Sequence, residues 1–289
     1  MQIDDKLVQK LIQDQFPQWS NLAIKPVARS GWDNRTFRLG DELLVRLPSA
    51  LSYAAQVPKE QKWLPFLSDR ISTQIPQVVA LGMPGHGFLW SWSIYSWIDG
   101  TDLPPDISDT SGIARSVSNF ILELHSVESS DGPAPGLHNY FRGGDLGEYD
   151  SEVTEYARLL ANEIDADAAL VVWSKALESN WDSSPVWIHG DLEPSNILIT
   201  KNKSVAVIDF GNCAIGDPAC DLVMAWTFFD DSARQVFRAA LQIDNNTWER
   251  ARAWALWKAM FRMATSLNSH DVEFTNAKRL VKSILADTL

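Results

Sequence analysis

The chain has only two cysteines, Cys213 and Cys220, among 289 residues. They form no C-x-x-C pair, and no neighbouring histidine completes a zinc ligand set, so two reduced thiols are expected and a disulfide framework is excluded. A basic surplus is also missing: 25 Lys and Arg stand against 37 Asp and Glu, a net charge of −12. With no basic stripe to neutralise phosphates, a nucleic-acid surface is excluded. No apolar run reaches membrane-spanning length, and the opening Met1-Gln2-Ile3-Asp4-Asp5 lacks the build of a secretion signal. A cytoplasmic protein with no membrane partner is therefore expected. Internal repeats and low-complexity tracts are absent too.

What is present is an apolar fraction of 45%, enough to bury the core of one or two domains, and 13 tryptophans. Most tryptophans belong in a core, while a few can line a ligand pocket. The acidic balance admits two explanations: solubility, or attraction of a polycationic substrate.

Residues 4–15 carry Leu7, Val8, Leu11 and Ile12 at helical spacing. Strand-like runs follow at 24–28, 35–39 and 43–47, with a hairpin turn at Gly40-Asp41. Residues 51–68 read as a helix that Pro65 kinks or shortens. Runs 78–81 and 92–98 complete a five-stranded antiparallel sheet with one helix. Asp99-Gly100-Thr101 reads as a hinge. Beyond it helices are expected at 111–127, 151–164, 167–180, 219–228, 230–241, 246–267 and 272–286, with short strands at 186–188, 196–199 and 204–208. The Gly- and Pro-rich stretch 129–145, carrying Asn139, Tyr140, Phe141 and Arg142, reads as a loop able to close over a site. The division is thus 1–98, strand-rich, and 99–289, mostly helical: an α+β chain.

The chemistry concentrates in His189-Gly190-Asp191-Leu192-Glu193-Pro194-Ser195-Asn196 and Val207-Ile208-Asp209-Phe210-Gly211. Phosphoryl transfer needs a carboxylate at the acceptor hydroxyl, and an amide oxygen plus a second carboxylate to hold magnesium on a nucleotide. Asp191, at the end of the strand Val186-Trp187-Ile188, suits the first role; Asn196 and Asp209 suit the second. A loop Asp capping a turn, a turn Asn and an exposed strand-end Asp are the plain alternatives. His189 reads as structural support behind the loop. In Gly216-Asp217-Pro218-Ala219-Cys220-Asp221, Asp217 is placed to cap a helix that Pro218 begins. A buried Asp221 would draw on backbone amides of the catalytic loop.

In the first half, Arg29 to Thr36 reads either as a turn over phosphates, with Ser30 or Asn34 assisting backbone amides, or as a plain hairpin turn. Arg46, in Leu44-Val45-Arg46-Leu47, stands where a kinase carries its phosphate-binding Lys, and Glu60 is placed to pair with it. A guanidinium can hold two phosphates bidentately. The alternative is a surface Arg at a strand edge. Tyr95 and Trp97 lie in the run before the hinge, where the backbone of a kinase hydrogen-bonds the purine edge.

Gly31 to Trp226 resembles the aminoglycoside phosphotransferase family. The segments that carry the likeness are Gly-Trp-Asp-Asn-Arg-Thr-Phe-Arg-Leu-Gly (31–40), Leu-Val-Arg-Leu-Pro (44–48), Tyr-Ser-Trp-Ile-Asp-Gly (95–100), His-Gly-Asp-Leu-x-Pro-x-Asn-Ile-Leu (189–198), Ile-Asp-Phe-Gly (208–211) and Gly-Asp-Pro-Ala-Cys-Asp-Leu (216–222). The resemblance implies a two-lobed protein-kinase-like fold and a nucleotide, ATP or GTP, held between the lobes with Mg2+. It implies direct transfer of the γ-phosphate to a hydroxyl of a small molecule, an aminoglycoside or similar cationic compound. By the same likeness, acceptor contacts are sought at Glu193, Asp230, Asp231, Glu249, Trp254, Trp257, Asp271 and Glu273, where solvated helix faces are the competing explanation.

Three other functions compete. The acceptor can be an amino alcohol, a sugar derivative or a macrolide. The chain can bind nucleotide without turnover, which Arg46 in place of Lys favours and the intact Asp191, Asn196 and Asp209 oppose. A protein kinase is disfavoured, because the stretch from Asp209 to Asp217 is too short for a protein-substrate segment. Nothing demands an oligomer, so a monomer or weak homodimer is expected.

Overall fold

The computed structural model describes residues 2–27, 33–104, 107 and 109–287. The chain divides into two compact units, Met1–Thr101 with Leu198–Gly211, and Asp102–Ile197 with Asn212–Leu289. A division at 98/99 allots residues 198–211 to the helical half; in the structure they pack into the strand-rich unit.

In chain order the elements are α1 (Asp5–Gln15), β1 (Ile24–Pro26), β2 (Asn34–Leu39), β3 (Leu43–Pro48), α2 (Leu51–Ala54), α3 (Gln56–Ser68), β4 (Val78–Gly82), β5 (Trp92–Ser96) and β6 (Gly100–Asp102). Then follow α4 (Ser111–Ser126), α5 (Asp150–Leu159), α6 (Ala166–Ala176), β7 (Val186–Ile188), β8 (Ile197–Thr200), β9 (Val205–Val207) and β10 (Ala214–Gly216). The last helices are α7 (Met224–Thr227), α8 (Asp231–Leu241), α9 (Asn245–Ser266) and α10 (Val272–Ala286).

The first unit is built on an antiparallel sheet in the order β1-β2-β3-β5-β4. The apolar face of α1 (Leu7, Val8, Leu11, Ile12) is buried in one cluster with Phe37, Leu39, Val45, Leu47, Trp92 and Ile94 from the sheet. That match of a 3.6-residue period to a two-residue period sets the core. Asp4 caps α1 by accepting the Leu7 amide at 2.9 Å. The single helix expected over 51–68 is two helices, and the break is not at Pro65. Pro58, in the first turn of α3, has no N–H to bond back to Ala54, so the ladder restarts there. α3 then runs through Pro65 to Ser68.

The second unit centres on α9, whose residues 247–260 are all buried. Its charged members are each engaged. Arg250 grips Asp217, Arg252 donates to the Ile284 carbonyl, and Glu249 takes Lys175. α9 packs against α10, α6 and the turn Pro218–Leu222. β10, which the sequence did not reveal, pairs antiparallel with β7, Ala214 opposite Ile188. Part of the acidic surplus is spent on helix starts. Asp165, Asp230, Asp244 and Asp271 each accept an amide from the first turn of their helix. Among the described residues no helix is long and apolar enough to cross a membrane.

Burial pushes His125, near the end of α4, down to about 4. Its Nε2 is buried and has no hydrogen-bond partner among the described residues. The unfolded chain takes up this proton near pH 6.5 while the folded one does not, so stability is lost as pH falls from about 6.5 to about 4. His125→Leu is expected to remove on the order of 1–3 kcal/mol of that loss. Urea unfolding at pH 7 and pH 4.5 checks it; an unchanged difference between the two pH values would contradict it.

Candidate active site

In the first unit, Arg46 points from β3 into a group of carboxylates. Its Nη1 donates to Glu60 Oε1 of α3 at 3.1 Å, and its Nη2 donates to Asp209 Oδ1 at 2.7 Å. Asp33 lies 4.0 Å from the same guanidinium. Tyr95 donates its hydroxyl to the other oxygen of Glu60 at 2.6 Å and lies under the guanidinium, 5.9 Å from ring centre to Cζ. Burial and the Glu60 charge push the Tyr95 hydroxyl well above its ordinary range. Its side chain is thus used to fix Glu60. Burial alone would weaken the Arg46 charge; Asp209 and Glu60 outweigh it and raise its pKa.

Three carboxylates therefore share one guanidinium. The surplus registers at Asp33, which burial and the Asp209 charge push up to about 6. Asp209 keeps 29% of its side chain exposed and is held at a left-handed φ of +69°. A non-glycine residue in that conformation is strained unless its surroundings fix it, and such strain collects at functional sites.

This donor set fits a hard cation, since oxygen ligands in negative surplus are what Mg2+ takes. Among the described residues no cluster of three His, Cys, Asp or Glu side chains could hold a metal unaided.

In the second unit, the loop after β7 is hung on Asp221. This fully buried carboxylate accepts the amides of His189 at 2.6 Å and Gly190 at 2.8 Å. Burial raises its pKa against the opposing pull of His189 and those two amides. Gly190 has φ +80°, and a Cβ there would lie 2.3 Å from the Asn212 carbonyl oxygen. That crowding is why glycine stands here rather than the Arg of protein kinases. His189 is fully buried, accepts the Asp191 amide on Nδ1 at 3.3 Å and meets the Phe120 ring edge-on. Asn196 donates Nδ2 to the Asp191 carbonyl at 2.9 Å, leaving its amide oxygen as the end a cation would take. Asn139, fully buried, uses Nδ2 to reach the Arg142 and Asn212 carbonyls, so the 129–145 loop is anchored to this same region.

Asp191 keeps 33% of its side chain exposed. Burial would raise its pKa, but Lys258, Arg142 and His189 together hold it far below the usual carboxylate range. Lys258, on α9, is the residue that sequence reasoning missed. Its Nζ lies 2.6 Å from Asp191 Oδ1 and 2.6 Å from Glu193 Oε1. Arg262, one turn on, pairs with the other oxygen of Glu193. The available signal was a lysine in the apolar run Ala253 to Met260 with an arginine four residues later on the same face.

Other candidates lie elsewhere. Asp230 caps α8 and accepts the Thr110 hydroxyl; Asp231 is exposed beside Arg234. Glu249 is buried and pairs with the exposed Lys175, and Asp271 caps α10. Trp254 and Trp257 are buried under the Arg142 guanidinium, 5.3 and 4.4 Å from its Cζ. Asp217 caps the Pro218 turn and is gripped by Arg250. Asn34 is buried at the start of β2, paired with Pro48. Trp97 donates to Asp99 and lies under Arg38. The amides of Ser96 and Trp97 are taken by the Gln77 and Glu42 carbonyls, so they are not free for a purine. Ser30 lies outside the described residues.

A strand-rich unit with an Arg–Glu–Asp charge group, together with a helical unit presenting a loop-held Asp, defines a kinase-like phosphotransferase of small molecules. The family model described as the phosphotransferase enzyme family, APH, matches residues 24–254, and the chain belongs to that family. Among solved structures it is similar to the GDP and kanamycin complex of an APH(2") enzyme, at 19% identity over 98% of this chain and 99% of that one, TM-score 0.74. ADP-bound APH(2'')-Ib matches at 20% identity over 98% and 97%, TM-score 0.60. The macrolide 2'-phosphotransferase MphH from Brachybacterium faecium matches at 16% over 98% and 99%, TM-score 0.64. Among curated protein sequences none matches the chain.

Proposed function

We propose that this enzyme transfers the γ-phosphoryl group of ATP or GTP to a hydroxyl of a small molecule, with Asp191 as the group that orients the acceptor and takes its proton. The observation that carries the reading is the setting of Asp191: paired with the Lys258 ammonium, one-third exposed, and fixed by a loop that Asp221 holds. The acceptor oxygen bonds to the γ-phosphorus as the bond from that phosphorus to the β–γ bridging oxygen breaks. The electron pair leaves with the nucleoside diphosphate, and the hydroxyl proton passes to Asp191. A carboxylate of such low pKa is a weak base, so it receives the proton late, once the new P–O bond has made the hydroxyl acidic.

Arg46, steered by Glu60, offers a fork suited to two phosphate oxygens. Asp209 and Asn196 are the residues that would hold magnesium, which supplies neutralisation of charge on the phosphates when bound. The two buried cysteines stand outside any disulfide, which supports the cytoplasmic reading, and a monomer or weak homodimer is the state proposed.

One solved neighbour holds kanamycin and another is a macrolide 2'-phosphotransferase, which supports an aminoglycoside-like cation as the first reading of the acceptor. A metabolite kinase is the second reading, and the cations Lys258 and Arg262 beside Asp191 and Glu193 favour it.

Asp209→Ala is expected to weaken magnesium-dependent nucleotide binding by about 10- to 100-fold, the worth of a charge-assisted contact. Titration calorimetry with and without magnesium reads this. Equal affinity in the variant and the parent would remove Asp209 as a metal ligand.

A further inference from the structure

We infer that the acceptor carries an anionic group, a carboxylate or a phosphate, bound in the cavity of the second unit on whose wall Arg262 stands. This deepens the phosphotransferase reading and rests on it. The cavity holds about 580 Å³ and is lined by Trp226, Thr227, Arg262, Glu273, Asn276 and Arg279 among others. That is room for a sugar-sized or somewhat larger molecule. Arg262 connects it to the chemistry, because its other contact is Glu193, which shares Lys258 with Asp191.

The charges along this path have the wrong sign for a polycation. Asp191 and Glu193 are both occupied, by Lys258 and Arg262. An amine-rich acceptor would have to displace those cations. Arg142 adds a third positive charge close enough to Asp191 to act on it. Among the described residues its guanidinium has no hydrogen bond or ion pair; it stacks on Trp254 and Trp257, and its Nε is buried without a partner. The carboxylate that accepts from the Trp257 indole, Glu152, also takes the Tyr156 hydroxyl. The cavity is also lined by Arg279, without a described partner, and by one carboxylate, Glu273, whose charge acts on Arg262. The buried Thr227 hydroxyl on the wall has no partner either, a donor suited to an acceptor oxygen. Guanidinium groups with unsatisfied N–H donors are the usual means of reading a planar carboxylate or a phosphate.

The test measures nucleoside-diphosphate release by the full chain with magnesium and ATP or GTP. Gluconate and ribose 5-phosphate are the anionic acceptors, ribose and sorbitol the neutral ones, kanamycin the cationic one. Stimulation by an anionic compound above the others is expected. Arg279→Gln should then raise KM for that compound about tenfold, more than it changes KM for the nucleotide. Stimulation by kanamycin in preference, or a rise confined to the nucleotide KM, overturns the inference and leaves the phosphotransferase standing. Where no compound is turned over, tryptophan-fluorescence titration with ribose 5-phosphate and kanamycin decides. Binding of the anion alone, abolished in Arg279→Gln, supports the inference; binding of kanamycin alone, or of neither, overturns it. Absence of both nucleotide binding and nucleotide hydrolysis would instead bring down the phosphotransferase reading, and this inference with it.

Discussion

Asp191→Asn is expected to lower kcat by about 10²- to 10⁴-fold, the usual worth of a positioned proton acceptor. Nucleotide affinity should stay within a factor of a few. The amide keeps the size of the carboxylate, and the loop around it is fixed from behind by Asp221 and Asn196, so geometry survives. What is lost is the site that receives the acceptor's proton. Lys258 keeps Glu193 as a counter-ion at 2.6 Å, so the variant does not strand a buried charge. Steady-state kinetics alongside nucleotide titration separates the two effects. Turnover equal to the parent's would end the assignment of Asp191. A fall in nucleotide binding equal to the fall in rate would make it a folding or binding residue instead.

The largest effect on stability is expected from Arg250→Met. Arg250 Nε donates to Asp217 Oδ2 at 2.6 Å and Nη2 to Oδ1 at 3.3 Å; the two side chains are only 4% and 8% exposed. Nη1 and Nη2 also reach the Ser179 and Thr247 hydroxyls. Methionine fills similar volume but leaves Asp217 as a buried, unpaired carboxylate. Removing one member of such a pair costs about 3–5 kcal/mol, mostly the desolvation of the survivor. Asp217→Asn combined with Arg250→Met should recover part of it, because the stranded charge is then gone. Chemical denaturation of the three variants checks both statements. A loss under about 1 kcal/mol in Arg250→Met would mean that water reaches Asp217.

Much of the fold was legible because its signals are local. The helical period of Leu7, Val8, Leu11 and Ile12, the strand-like runs of β2 and β3, and the turn at Gly40-Asp41 need no tertiary context. The motif residues were legible for a different reason: phosphoryl transfer constrains residue types at fixed spacing, so Asp191, Asn196 and Asp209 stand out before any folding. Short strands such as β10 were not legible, since three residues carry no period and exist only because β7 lies beside them. The break between α2 and α3 was misplaced because two prolines compete there, and the missing amide of Pro58 decides.

Charge partners were the part only the tertiary structure decided. The sequence alone determined that the chain is acidic overall, carries a phosphoryl-transfer motif and has a strand-rich half followed by a helical one. It also pointed to Arg46 and Glu60, fourteen residues apart, as a pair, through the likeness to the strand Lys and following helix of a kinase. It showed Lys258 as a lysine within an apolar helical run, but not that its partner is Asp191, 67 residues earlier. Nor did it show that Asp230 and Asp271 are consumed as helix caps. Coulomb interactions depend on distance and burial, and packing sets both without regard to sequence separation. Net charge is a sum over residues and can be read from the chain; the field at one carboxylate is set by its neighbours in space.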